Sequence, residues 1–547
     1  MKTIGLASVA ATVLSGSLFA KSVAAADLPP IVIKGSHFFY ENGTEFFIKG
    51  IAYQRDVSSN GTVAAAGSAE GVEPTTFTDP LADTASCTRD IPLMAALGVN
   101  TIRVYAINAT SNHDVCMNLL ADNGIYLIQD LSNPKSSIIR NAPQWNTELF
   151  ATYAGVIDAL AGYSNTLGFF AGNEVSNERS NTDASAFVKA AVRDSKTYIK
   201  NQAYRTIGVG YATNDDAEIR DDLAAYFNCG DADEAIDFWG YNIYSWCGKS
   251  TFTESGYDQR TKEFEKFSVP AFFAEYGCNT IPGTRPFTEV EAIYGPNMTN
   301  VWSGGIMYMY FQEANDYGVV SISGTSASKL PDYTALSSQL NAVTPKNTPS
   351  ASYVVSNTAV SACPTTGTAW AASSNLPPIA NSQLCSCMIS SLSCVANGGL
   401  TGNQTADLFD TVCGLDLAAC AGITANGTTG VYGAYSMCTA SEKLSFAMNQ
   451  YYLSQDSAST ACSFGGNAEV KSAASAASSC SALLSAAGTA GTGTVTAAPT
   501  GAAGSTSAAT SKAAAGMVTV PNMNMGSLSL GAYITVAMLA GAGVVLL

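Results

Sequence analysis

A chain of 547 residues exceeds one ordinary domain, and its 26 Lys and Arg against 43 Asp and Glu leave a formal charge of −17. So sparse and acidic a charge set has no basic stripe to neutralise phosphates, which excludes nucleic acid as a partner. The only histidines, His37 and His113, stand isolated, and no Gly-rich loop ends in Gly-Lys-Ser/Thr, so HExxH metal sites and P-loop chemistry are excluded too.

Lys2 is followed by an apolar stretch of small residues and then Ala24-Ala25-Ala26, an A-x-A cleavage pattern. Residues 1–26 read as a signal peptide. Fourteen cysteines, an even number, agree with an oxidising compartment and up to seven disulfides. Sequons at Asn42, Asn60, Asn108, Asn297, Asn403 and Asn426 mark expected surface positions for glycosylation.

Residues 27–343 repeat a strand-then-helix rhythm. Eight short runs rich in Ile, Val, Phe and Tyr stand out, at 45–53, 100–105, 125–129, 166–172, 206–211, 236–244, 269–276 and 304–311. Helix-compatible segments lie between them, at 89–97, 116–122, 148–163, 184–202 and 257–267. Eight such units predict an α/β fold, a (β/α)8 barrel. A doubly wound open sheet is the competing architecture, but the Gly-rich turn it usually places after its first strand is missing.

Barrel chemistry sits at the C-terminal ends of strands. Those ends carry Gln54, Tyr105, Asp130, Asn173-Glu174, Tyr211, Tyr244, Glu275 and Tyr308 or Tyr310. Glu174 and Glu275 emerge from strands too apolar to hold a charge without reason. Strands four and seven are expected to face each other across the mouth, close enough for the ~5–5.5 Å carboxylate separation of retaining glycosidase chemistry. Asn173, able to hydrogen-bond a sugar 2-hydroxyl, marks Glu174 as acid/base. Glu275 is then the nucleophile, with Tyr244 and Arg103 in support. Either glutamate alone reads as a surface carboxylate; the pair at two strand ends does not.

The segments 50–54, 98–105, 172–174, 238–247, 272–278 and 304–320 resemble glycoside hydrolase family 72, whose members are GPI-anchored β-1,3-glucanosyltransferases of fungal cell walls. The resemblance spans residues 30–343. It implies the same roles for Glu174 and Glu275, and donor-site sugar contacts at Gln54, Tyr105, Asp130, Asn173, Tyr244 and Tyr308, with Tyr317 on the acceptor side. Tyr310, two residues from Tyr308 on the same face, is the alternative there. An endo-β-1,3-glucanase and a non-catalytic glucan-binding wall protein are the competing functions. No metal or organic cofactor is expected, because the residues offer no soft ligand set and the chemistry needs none.

Residues 344–383 read as a Ser/Thr/Pro-containing linker. Residues 384–482 hold eight of the fourteen cysteines and resemble the cysteine-rich carbohydrate-binding module of family 43. Its aromatics Tyr432, Tyr435, Phe446, Tyr451, Tyr452 and Phe464 serve either its core or glucose stacking. The two resemblances imply the pairs Cys385–Cys438, Cys387–Cys480, Cys394–Cys462 and Cys413–Cys420 in the module, with Cys87–Cys116, Cys229–Cys363 and Cys247–Cys278 in the barrel. Residues 483–515, poor in charge and rich in Ala, Ser, Thr and Gly, read as a stalk. The apolar end of the chain, with no basic stop and small residues before it, reads as a GPI signal over 516–547 with attachment at Ala515; a transmembrane helix is the alternative. These readings place a monomer on the outer face of the plasma membrane, in the cell wall, with β-1,3-glucan chains as donor and acceptor.

Overall fold

The computed structural model describes residues 28–57, 76–473 and 478–496. The expected leader, Asn60, the end of the stalk, Ala515 and the apolar tail lie outside the described residues. No helix among the described residues is long and apolar enough to cross a membrane.

Eight parallel strands close into a barrel: β1 (Ile48–Ala52), β2 (Thr101–Val104), β3 (Tyr126–Asp130), β4 (Thr166–Asn173), β5 (Gly208–Thr213), β6 (Trp239–Asn242), β7 (Ala271–Tyr276) and β8 (Trp302–Met307). The helices α1 (Thr84–Leu97), α2 (Asp114–Asp122), α3 (Thr147–Leu160), α4 (Ala184–Asn201), α5 (Arg220–Phe227), α6 (Tyr257–Phe264), α7 (Glu289–Ile293) and α8 (Pro331–Ala342) follow them in turn. The near-continuous apolar runs arise because both faces of each strand are covered, by the barrel interior and by the helix layer.

That interior is filled in layers. Phe170, Phe238 and Phe272 meet at 5.3–5.9 Å between ring centroids, and Phe38 closes on Phe238 and Phe272 from below at 6.2 Å. Glycine makes room for the rings: a Cβ at Gly210 would sit 2.4 Å from the Phe238 ring, and one at Gly240 would sit 2.7 Å from Phe170. The Arg103 guanidinium lies 4.7 Å above the Phe170 ring and forms the floor of the mouth.

Two corrections concern the barrel. The run beginning at Glu45 is two elements, because Glu45–Phe46 pairs with His37–Tyr40, which in turn pairs with Ile31–Lys34, in an antiparallel sheet that plugs the bottom, and β1 starts only at Ile48. Tyr211 is not at the mouth. β5 runs on to Thr213, and Tyr211 points outward to stack on Phe227 at 4.2 Å.

All seven implied disulfides are formed. Residues 344–381 lie strapped to the barrel: Lys34 Nζ donates to the carbonyls of Ser350 and Tyr353, Cys363 is bonded to Cys229, and Trp370 is buried against Tyr226. The module that follows is built from α9 (Ser382–Ser391), α10 (Gly402–Leu415), α11 (Ala440–Ser454) and α12 (Ser478–Ala487). It extends past the expected boundary at 482. Leu483 and Ala487 are buried beside Tyr435 and Phe446, and the Gly491 carbonyl accepts from the Ala434 N–H, so 483–496 belong to the module and not to a stalk. Tyr435, Phe446 and Tyr452 are core residues, Tyr451 and Phe464 pair at 5.7 Å, and Tyr432 packs on Phe187 of the barrel.

Candidate active site

Both glutamates stand just past an irregularity in the ladder. Between β4 and β5 the pairing steps from Phe170↔Gly210 to Asn173↔Ala212, three residues on β4 against two on β5. Between β6 and β7 it steps from Tyr241↔Phe273 to Asn242↔Glu275, one residue against two. Such bulges re-aim the side chains beyond them, here into the mouth. Strands four and seven are not diametric. Only β5 and β6 separate them along the shorter arc of the ring, which is how their carboxylates come within each other's field.

Glu275 receives three donors. Tyr105 Oη donates to Oε1 and Tyr244 Oη to Oε2, each at 2.8 Å, and Arg103 Nη1 lies 3.3 Å from Oε1. Burial, and then the Glu275 charge, raise both phenols well above their ordinary value, so they stay protonated and remain donors. Arg103 is fully buried. Burial opposes its charge, but Asp130, Tyr105 and Glu275 more than offset this and hold the guanidinium above its usual range. Asp130 grips it with both oxygens, at 3.0 and 2.9 Å.

Glu174 is held differently. Its Oε1 accepts from Asn242 Nδ2 at 2.7 Å. Burial, and then repulsion from Glu275, raise its carboxyl above the ordinary value; Asn242, Arg103 and Arg140 pull the other way. Its backbone lies in the left-handed region at φ 49°, rare for a residue with a Cβ. That conformation is pinned by the Glu174 N–H donating to Ala212 O and by Arg140 Nη2 donating to Glu174 O.

The other expected site residues divide. Asn173 Oδ1 accepts from Arg103 Nη2 at 2.9 Å, on the floor of the mouth. The Tyr308 ring lies 5.3 Å from Tyr317, and Tyr317 lies 5.7 Å from Tyr244, so these three rings wall one side. Tyr310 is fully buried and donates to Asp90, which decides the alternative in favour of Tyr308 at the mouth. Gln54 accepts from the Tyr105 and Ala106 N–H groups and donates to Thr78 O, while Asp130 is spent on Arg103. The immediate work of these two is to hold Tyr105 and Arg103. Asn242 is a residue that the sequence reading passed over; a period-two reading back from Tyr244 would have placed it on the same face.

Among the described residues one trio has metal-like spacing, Cys385, Cys438 and Glu442, but its two sulfurs are joined in a disulfide and offer no thiolate.

Residues 20–344, more than half of the chain, match the family model described as Glucanosyltransferase. The chain belongs to the glucanosyltransferase family. Residues 392–469 match the X8 domain. A 1,3-beta-glucanosyltransferase of Arthroderma benhamiae is 55% identical, covering 97% of this chain and 98% of its own. The 1,3-beta-glucanosyltransferase gas1 of Schizosaccharomyces pombe is 46% identical, covering 86% and 84%. The solved structure of Saccharomyces cerevisiae Gas2p in complex with laminaritriose and laminaritetraose is 42% identical with a TM-score of 0.73, covering 82% of this chain and 98% of that one.

Proposed function

We propose that this enzyme is a β-1,3-glucanosyltransferase in which Glu275 is the nucleophile and Glu174 the acid/base. The single observation behind the assignment is the unequal treatment of two neighbouring carboxylates. One accepts from an arginine and two phenols, while the other sits where burial and its neighbour's charge favour the protonated form. Glu275 attacks the anomeric carbon of an internal glucose as Glu174 gives its proton to the departing glycosidic oxygen. The departing chain leaves, and a β-1,3-glucan acceptor takes its place. Its terminal hydroxyl attacks the glycosyl-enzyme, Glu174 takes that hydroxyl's proton, and Glu275 is released as a carboxylate. The donor chain is thereby joined to the non-reducing end of the acceptor, which elongates the glucan.

Asn173, Tyr105, Tyr244 and Tyr308 serve as donor-site contacts, and Tyr317 faces the acceptor; Gln54, Arg103 and Asp130 hold that surface in shape. Product chromatography on a reduced laminari-oligosaccharide tests the activity. Products longer than the substrate are expected. Shorter products alone establish a hydrolase, and none a binding protein. Glu275→Gln is expected to abolish the glycosyl-enzyme, and Glu174→Gln to slow both half-reactions; a folded variant turning over normally overturns the assignment.

The leader and tail sequences support export and GPI anchoring, which would hold the enzyme at the outer face of the membrane against the wall. Asn42, Asn108, Asn297, Asn403 and Asn426 are all exposed, as glycan attachment requires. Release of the protein from intact cells by a phosphatidylinositol-specific phospholipase tests the anchor. Recovery of residues 528–547 in the mature membrane protein would establish a transmembrane segment instead.

A further inference from the structure

The mouth contains a hydrogen-bond chain whose polarity can be worked out from one end. Arg103 has only donors, so the Asn173 side chain must turn its oxygen toward Arg103 Nη2, at 2.9 Å. That same oxygen lies 3.0 Å from Asn242. Asn242 must therefore present its NH2 group, and the second N–H of that group meets Glu174 Oε1 at 2.7 Å. The arrangement has a cost: Asn242 is 3% exposed, and its Oδ1 is buried with no partner. An apolar residue would avoid that penalty. The β6–β7 bulge brings Asn242 opposite Glu275, and so into the mouth.

We propose that Asn242 is a positioning residue that decides which oxygen of Glu174 carries the catalytic proton. This rests on the reading of Glu174 as acid/base. An N–H directed at Oε1 favours the form of protonated Glu174 with its proton on Oε2, because the carbonyl oxygen is the stronger acceptor and the hydroxyl would have to turn away from the N–H. The acid proton is thereby kept on the oxygen free to face the glycosidic bond. When Oε2–H gives that proton to the leaving oxygen, the new carboxylate still accepts from Asn242, and in the second half-reaction Oε2 takes the acceptor's proton back. Asn242 neither gains nor loses a proton in either step. Facing Glu174 are Glu275 from β7, Arg103 from β2 and Arg140 from the loop after β3, while Tyr211 of β5 lies behind it on the outer face, its hydroxyl accepting from the Val175 N–H. None of them changes when Asn242 is replaced.

The test uses the full-length enzyme with Asn242→Ala and with the near-isosteric Asn242→Leu, which removes the N–H donors at little change of volume and adds no titratable group. On laminari-oligosaccharides, kcat is expected to fall about 10- to 100-fold, the loss of one charge-assisted hydrogen bond, while KM moves little. The basic limb of the pH profile should move to higher pH, because the ionised form of Glu174 has lost a donor. On a dinitrophenyl laminari-oligosaccharide, whose leaving group needs no proton, the burst of dinitrophenolate should stay near that of the parent enzyme. Equal losses on both donors, or an unmoved basic limb, would show that Asn242 merely shapes the site and overturn the proposal. Glu174→Ala is the control. If it too fails to spare the dinitrophenyl donor, the acid/base reading beneath the proposal falls, and the failure lies there and not with Asn242. Should Asn242→Ala not fold, as judged by circular dichroism, Asn242→Leu decides.

Discussion

At the scale of single residues, the mouth is organised around a cation that substrate need not touch. Arg103 joins Asp130, Asn173 and Glu275 and stacks on Tyr105 and Phe170, so its loss would leave two carboxylates and an amide oxygen facing one another without a cation. Arg103→Met is expected to destabilise the protein by about 3–5 kcal/mol, because removing one partner strands the buried Asp130. The paired change Arg103→Met with Asp130→Leu should recover part of that stability but none of the activity. Denaturant unfolding and laminari-oligosaccharide turnover separate the two effects; a single variant that is stable and active would contradict this account. Residue identities here were only partly legible. Glu174, Glu275, Tyr105, Tyr244 and Arg103 are all findable from strand ends, whereas Asn242 acquires meaning only when β6 and β7 are seen to slip past one another.

Elements explain where the strain and the pH sensitivity reside. Gly304 on β8 has φ +96°, and a Cβ there would lie 2.2 Å from the Ile48 carbonyl of β1. Gly304→Ala should therefore cost about 2–4 kcal/mol by prising apart the seam where the barrel closes. An unchanged Tm would show that the seam can yield. On α7, Glu289 is buried, and that burial pushes its carboxyl up to about 7, with Arg285 only partly opposing. The folded state thus prefers the neutral acid. As pH rises from about 4.5, the unfolded chain ionises first, so this group's contribution to stability falls until the folded carboxyl also ionises near 7. Glu289→Gln is expected to flatten the decline in Tm between pH 5 and 7 and to raise Tm at neutral pH. A steeper decline would refute the assignment.

For the whole molecule, the question is whether barrel and module move as one. The Thr147 N–H at the start of α3 donates to Met437 O, the Ser373 N–H of the strap donates to Gly427 O, and Tyr432 stands over Phe187. Gly427 is a tight point against the barrel itself, since a Cβ there would be 2.5 Å from the Asp183 carbonyl and 3.1 Å from the Phe187 ring. Gly427→Val should lift the module off α4 without touching the disulfides of either part. Calorimetry should then resolve two transitions where the parent shows one, and protease should cut within 344–381. One unsplit transition in the variant would mean that the interface is not what couples the two parts.

The amino-acid sequence by itself determined the barrel, because a strand covered on both faces must be apolar along its whole length, and eight such runs leave few topologies. It also pointed to the two glutamates proposed as the reacting pair, since a carboxylate ending an apolar strand needs a reason to be there. Local signals said less about everything set by packing across the ring. The bottom-plugging hairpin was hidden because Glu45–Phe46 and Ile48–Ala52 read as one apolar run. Tyr211 and Tyr310 were indistinguishable from mouth tyrosines until the helix layer and Asp90 claimed them. The stalk boundary moved because Leu483 and Ala487 are buried in one cluster with Tyr435 and Phe446, distant in the chain, which composition does not show. What only the tertiary structure decided is the hydrogen-bond polarity of the mouth: it runs from Arg103 through Asn173 and Asn242 to Glu174, and its direction is set by contacts between residues about 70 positions apart.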